Sequence, residues 1–489
     1  MMNAEKPPIF ATDYDRAACL IGIVHLGYGA FHRAHQAVYI DDYMQHTGDL
    51  SWGIAAVNLR PTESAAFAVA QQGDEGYLLK YTGTTTPTAY RLVRPHVQFA
   101  DWSRQTAEAE GLIALESVHA VTITVTESGY YLDEAGRLNL DDPVIRAEVS
   151  GGTPQSVYGY LAGGLGRRHA AGGGSLTIMC CDNIRGNGHM LEASLRAYLQ
   201  AVGKDDLAAW VDRNVTFPCS MVDRITPRTT KELQTEIAGM FPKLGASSIH
   251  SEDYIQWVLE DRFAGRMPDL IKVGVEVVGD VDPYEEAKIR ILNGGHTGLA
   301  YLGALAGHDT FDEAMRDPEL RSHFDGLEGE EILPGLQRAL PFDKHVYYER
   351  IAERFANHAI ADALERICMD GFSKFPIFVR PTLEGCLAQG ISPQHCYASI
   401  ASWYVFACRH ARAQGRIDYH EPNWHLLAPM LEDGAEHDFA TSVVLWGDLP
   451  SAHADFAPAS SALSRRWITD GQRNSDGRQE VLWRRQRHT

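Results

Sequence analysis

The stretch IGIVHLGYGAFHRAHQ, residues 21–36, decides the fold. Its apolar head, Ile21–Leu26, reads as a buried strand, and a helix is expected to begin near Phe31. Between them stands Gly27-Tyr-Gly29, the opening of a dinucleotide fingerprint at the carboxyl end of a strand. Gly27 would permit the tight turn, and Gly29 would let the backbone approach a pyrophosphate at the helix N-terminus. The third glycine of G-x-G-x-x-G is missing. His32 takes its place, followed by Arg33, a cation where phosphate charge would lie. The competing reading is an ordinary turn that contains two glycines. His32 and His35 could be half of a metal site, but no third ligand is close in sequence, so hydrogen bonding inside the fold is the expected role.

Outward from this loop, short β-rich runs alternate with helical patterns. Ile21–Leu26, Gly53–Asn58, Ala120–Thr126 and Ser175–Cys180 read as strands; Ala34–His46 and Ser156–Arg168 read as helices. Such alternation predicts a doubly wound parallel sheet, helices on both faces. From about Asp282 long helical segments take over: Tyr284–Ala306, Ile360–Met369 and Cys396–Gln414. A chain of 489 residues is too long for one core. The expected organisation is therefore an α/β, Rossmann-type cofactor domain over residues 1–281 and a mainly helical substrate domain over 282–489.

Composition excludes several functions. A net charge of −20 argues against nucleic acid, whose phosphates need a basic surface. No apolar run approaches the ~18 residues of a membrane span, and the polar start MMNAEKPPIFATDYDR has no signal-peptide core. The eight cysteines form no C-x-x-C, which points to reduced thiols and a cytoplasmic protein. Their spacing, with that of the histidines, shows no catalytic zinc site.

After the second strand, GIAAVNLRPTES ends in Asn58 where an acid usually holds the adenosine ribose; the first acid is Glu63, while Arg60 could attract a 2′-phosphate. The segment DPYEEAKIRILNGGH, residues 282–296, carries the chemistry. Asp282 reads as N-cap, Pro283 as the first helical residue and Glu285 as the partner in a capping box. At ~100° per residue, Glu285, Lys288, Asn293 and His296 share an arc of roughly 140°. Ile289 and Leu292 on that face imply burial, which is costly for a lysine, an amide and an imidazole unless they serve something. The plain alternative is a lysine reaching solvent and a satisfied core histidine. Alcohol oxidation would use the set fully: a desolvated lysine as base, with neutral donors around the developing oxyanion. Gly294 and Gly295 weaken the helix but admit a ligand or another backbone.

With these residues in place, the chain resembles the mannitol dehydrogenase family of polyol-specific long-chain dehydrogenases over nearly its whole length. The signature K-x-x-x-x-N-x-x-H is present as Lys288, Asn293 and His296, and GYGAFHRAHQAVY is similar to the family's nucleotide loop, in which an arginine follows a shortened glycine motif. TVTESGYYLD, TIMCCDNIRGNGH and FPCSMVDRITPR also resemble family segments. The resemblance implies NAD as cofactor, bound through Gly27, Gly29, Phe31, Arg33, Glu63, Thr126 and Glu127. It implies Lys288 as base and Asn183 with Asn293 as oxyanion donors, and it links Glu285 and Asp223 to proton exit and site electrostatics. Arg366 and Lys374, in LERICMDGFSKFP, match substrate-contacting positions.

Within the family, NIRGNGH, VDRITPR, PYEEAKIRILN, DGFSKFP and LWGDL are most similar to D-arabinitol 4-dehydrogenases. The expected activity is zinc-independent, NAD-dependent oxidation of a neutral polyol, D-arabinitol to D-xylulose first and D-mannitol to D-fructose second. The alternatives are fructuronate reduction and, outside enzymology, a non-catalytic NAD-binding regulator, which would need no buried Lys288. The resemblance leans to a monomer whose partner is the small substrate alone. The arginine-rich end, residues 465–489, departs from the family and reads as a frayed tail or a partner contact.

Overall fold

The computed structural model describes residues 8–71, 75–84, 86–133, 135–241, 248–454 and 456; the arginine-rich end lies outside them. The chain divides into two compact units, Met1–Asp282 and Pro283–Thr489.

The first unit is built on a six-stranded sheet whose strands we number in chain order: β1 Ile21–Leu26, β2 Gly53–Asn58, β3 His96–Asp101, β4 Ala120–Ile123, β5 Leu176–Cys180 and β6 Val215–Thr216. All pairings are parallel, and the order is β3-β2-β1-β4-β5-β6. This is the dinucleotide-binding order, with its switch point between β1 and β4. Both faces of the sheet are covered, so β2, β4 and β5 are buried along their whole length. That is why they read as continuous apolar runs rather than alternating ones. One apolar cluster holds Val24, Val57, Val121 and Ile178; another, beneath the opposite face, holds Ile23, Ile54, Ala120 and Met179.

Two smaller sheets were not foreseen. One is mixed, in the order Ile9–Ala11, Ala89–Val93, Tyr77–Thr82, Ile249–Glu252; the other joins Ser220–Asp223, Gln256–Glu260 and Glu276–Val278. Tyr77–Thr82 and Ala89–Val93 form an antiparallel hairpin, whereas the remaining partners come from distant segments, so the local pattern carries no pairing information for them.

The expected helix over Ala34–His46 is two, Ala30–Ala34 and Gln36–Thr47, broken at His35, whose φ of −120° and ψ of −91° interrupt the turn. The second unit is helical. The segment expected as one helix over Tyr284–Ala306 starts at Asp282 and runs as an α-helix to Ala287, a π-helix over Lys288–Gly294, and an α-helix over Gly295–Ala306. Asp282 is the first helical residue rather than the N-cap, and its N–H donates to the Asp280 carboxylate at 2.9 Å. The helix expected over Ile360–Met369 shrinks to Leu364–Ile367, because Phe311 N–H takes the Asp362 carbonyl and Thr310 bridges Ala363. All eight cysteines are free thiols. Among the described residues no helix is long and apolar enough to cross a membrane.

Candidate active site

In the first unit the loops after β1, β2 and β4 close round a cavity of about 480 Å³. Gly27, Gly29, Arg33, Asn58, Glu63 and Thr126 are among its lining residues. Gly27 has φ +98°, and a Cβ there would stand 2.1 Å from the Thr124 carbonyl oxygen, so both conformation and space demand glycine. Gly29 differs: its φ of −78° suits any residue, and nothing lies within 4 Å of where its Cβ would be. The second glycine thus leaves open space at a helix start, which is where a pyrophosphate needs backbone. The cradle fits a dinucleotide.

Arg33 stacks over Tyr28 and Tyr77, 5.1 and 5.5 Å from the ring centroids. Phe31 does not line this cavity; its ring stacks on His35 at 5.0 Å. Arg60 turns its guanidinium back to the chain, donating to Val125 O at 3.0 Å, while Glu63 is exposed at the rim. Thr126 adopts φ +69°, a strained conformation for a β-branched residue. It is held there by Asp182, whose carboxylate accepts from the N–H of Val125 (2.9 Å) and Thr126 (3.2 Å) and from the Tyr130 hydroxyl (2.7 Å). Burial pushes the Asp182 carboxyl up to about 6 against these hydrogen bonds. Sequence reasoning missed Asp182; its only local signal is its place beside Asn183, just past β5. Glu127 is exposed next to Thr126, and so is Asn183. Asp223 is buried at the end of its strand.

The histidines of the opening stretch are structural. His25 and His32 stack with centroids 3.2 Å apart, His32 Nε2 meets His96 Nε2 at 2.9 Å, and His35 Nε2 meets the Gln256 carbonyl at 2.8 Å. Burial holds His25 down at about 3 and His32 and His96 well below the usual imidazole value. A different group has metal-ligating donor types: His189, Cys219 and Glu260, with ligand atoms within 4.8 Å of one another. Glu260 already accepts from the Cys219 N–H at 2.8 Å and lies 3.8 Å from Arg262 Nε.

In the second unit, the π-helix changes the geometry of the signature. The expectation of 100° per residue fails there. In an α-helix, residues five apart diverge; in a π-helix the hydrogen bond itself runs from i to i+5, so Lys288 and Asn293 return to one face. The x-x-x-x spacing between lysine and asparagine fits a π turn. Lys288 and Glu285 are buried, and Asn293 and His296 are half-buried. His296 stacks on Phe355 (4.7 Å) and meets Phe311 edge-on (4.3 Å). Burial pushes its pKa down to about 3 despite nearby Asp362, so it is a neutral imidazole at physiological pH. The glycine pair after Asn293 is filled by the chain itself, not left for a ligand. A Cβ on Gly294 would meet the Phe378 carbonyl oxygen at 3.1 Å, and one on Gly295 would meet Glu328 Oε1 at 2.1 Å and Phe324 at 2.9 Å. Arg366 is bound by Asp362, and Lys374 Nζ donates to the Ile367 carbonyl at 2.9 Å.

The comparisons agree with this architecture. Residues 21–272 match the mannitol dehydrogenase Rossmann domain, and residues 280–457 match the mannitol dehydrogenase C-terminal domain. The chain belongs to the mannitol dehydrogenase family. Membership makes it an NAD-dependent oxidoreductase of the polyol dehydrogenase class. A D-arabinitol 4-dehydrogenase of Ralstonia nicotianae is 38% identical over 76% of this chain and 80% of its own length. A D-mannonate oxidoreductase of Escherichia coli is 34% identical over 95% and 97%. Among solved structures, Pseudomonas fluorescens mannitol 2-dehydrogenase, in a ternary complex with NAD and D-mannitol, superposes with TM-score 0.85 at 30% identity, covering 95% of each chain.

Proposed function

We propose that the protein oxidises a secondary hydroxyl of a neutral polyol to a ketose, D-arabinitol to D-xylulose first and D-mannitol to D-fructose second, with Lys288 as general base. The observation that carries this reading is the π turn that puts Lys288 and Asn293 on one face of a largely buried helix, with a neutral imidazole at His296. Lys288 Nζ takes the hydroxyl proton. Asn293 and His296 donate to the oxygen as charge develops on it, and donors of this kind each contribute roughly 2.7–4 kcal/mol in the transition state. Asn183 is proposed as a further oxyanion donor, Glu285 and Asp223 as groups that carry protons away and set the local charge, and Arg366 and Lys374 as substrate contacts. NAD, when bound, accepts the hydride; Gly27, Gly29, Arg33, Glu63 and Thr126 line the space that would hold it, with Glu127 beside them. Glu63 at the rim favours NAD over NADP by repelling a 2′-phosphate, while Arg60, which lines the same cavity, already donates to Val125 O.

The test is a panel of pentitols, hexitols and sugar acids followed by NADH absorbance. D-arabinitol or D-mannitol should be turned over far faster than D-mannonate, and activity should survive exhaustive chelation. Preference for D-mannonate would favour the second reading, suggested by the D-mannonate oxidoreductase likeness over 95% of the chain. Loss on chelation that zinc restores would overturn the lysine mechanism. The protein is proposed to act as a cytoplasmic monomer, which gel filtration and fractionation would check.

A further inference from the structure

A sugar acid and a polyol differ at one atom group, a carboxylate against a hydroxyl, and in the second unit Arg366 is already paired with a carboxylate. Asp362 is buried, and its carboxylate takes two donors of Arg366 at once: Nε to Oδ1 at 2.8 Å, and Nη2 to Oδ2. Its backbone is pinned, because its carbonyl accepts the Phe311 N–H at 2.9 Å and the next residue bridges Thr310. The Arg366 side chain remains 44% exposed, so its other N–H groups are presented outward from a fork already filled by a carboxylate. The same carboxylate lies 3.9 Å from His296 Nε2, which places the pair beside the signature helix.

We infer that Asp362 is a specificity-determining positioning residue: by neutralising and orienting Arg366 it makes the guanidinium a donor to hydroxyls and denies a substrate carboxylate its clamp. This rests on the proposed function, in which Arg366 contacts substrate. An anionic substrate needs an uncompensated cation with a free fork. Here the fork is occupied, and a second carboxylate would face the first across the same guanidinium. A hydroxyl needs only a fixed N–H, which the pair supplies. The other cation, Lys374, is tied to the Ile367 carbonyl, and burial lowers its pKa against the pull of Asp370.

The experiment compares wild type, Asp362→Asn and Asp362→Glu, each with D-arabinitol, D-mannitol and D-mannonate. Asp362→Asn should raise KM for the neutral polyol about tenfold with kcat changed less than threefold, and should lower the ratio of polyol to mannonate efficiency by tenfold or more. Asp362→Glu, which keeps the charge, should hold that ratio near the wild-type value. If Asp362→Asn fails to fold, inhibition of the wild-type enzyme by D-mannonate decides: a neutralised pair gives an inhibition constant nearly independent of salt. A steep salt dependence, or an Asp362→Asn ratio within twofold of wild type, overturns this inference while leaving polyol oxidation standing. A wild-type enzyme that prefers mannonate overturns both.

Discussion

Two glycine pairs, one in each unit, show how little a residue type says until its surroundings are known. Gly27 and Gly29 follow a strand of the sheet; Gly294 ends the π-helix that carries Lys288 and Asn293, and Gly295 begins the α-helix after it. The first pair splits its work. Gly27 is required by the chain's own backbone, whereas Gly29 faces open space in the cavity. The second pair has no open member: the Phe378 carbonyl stands over Gly294, and the Glu328 carboxyl stands over Gly295. Only Gly29 leaves open space; the second pair lets helices close on each other. What backs them differs as well. His25 Nε2 donates to the Gly27 carbonyl from within a buried histidine stack, while Gly295 rests on a fully buried carboxyl.

The sharpest way to separate the two regions is Lys288→Ala. If the helix holds the base and the glycine loop holds the cofactor, alcohol oxidation should fall by roughly 10²–10⁴-fold, the scale of a positioned general base. NADH binding followed by fluorescence should be unchanged. Near-normal turnover would make Lys288 structural.

Gly27→Ala and Gly295→Ala come next. Both force a Cβ to 2.1 Å from an oxygen, and both should lower stability by about 1–3 kcal/mol in chemical denaturation. Gly27→Ala should cost more, because its φ of +98° adds strain and the obstacle is backbone rather than a side chain that can move. Equal losses would break the distinction.

The two supports should also titrate in opposite directions. Burial keeps the stacked histidines below the usual imidazole value of 6.5, so the unfolded chain binds protons the fold refuses, and stability should drop as pH falls from about 6.5 toward 3. Burial keeps Glu328 protonated well above the ordinary 4.5, so the unfolded chain releases a proton the fold retains, and stability should drop as pH rises above 4.5 until that carboxyl ionises. Glu328→Gln should therefore stabilise the protein at pH 7 relative to its effect at pH 4.5. A pH-independent effect of that substitution would remove the carboxyl from the account.

The smallest expected change in stability is for Gly29→Ala, within about 0.5 kcal/mol, since its conformation and surroundings accept a methyl. Its effect should appear in KM for NAD instead. A large loss of stability with unaltered KM would make Gly29 a packing residue like Gly295.

The sequence by itself determined the strand β1, its glycine turn and the change of periodicity near residue 282, because burial on both faces and turn chemistry are local properties written in adjacent residues. It also brought Lys288, Asn293 and His296 forward as a set, through the cost of burying them. Tertiary structure decided the rest. Whether a turn closes from i to i+4 or i to i+5 depends on what packs against it, so how closely Lys288 and Asn293 align within that arc could not be computed from an α-helical angle. Asp182 was invisible because its partners Val125, Thr126 and Tyr130 stand more than fifty residues away in the chain. Asp362 did have a signal, its four-residue spacing to Arg366, but spacing cannot tell a solvated pair from one whose carboxylate is buried on a backbone pinned by the Phe311 N–H. Gly29 and Gly295 carry the same letter; only the atoms that distant segments bring to each decide which one faces an open cavity.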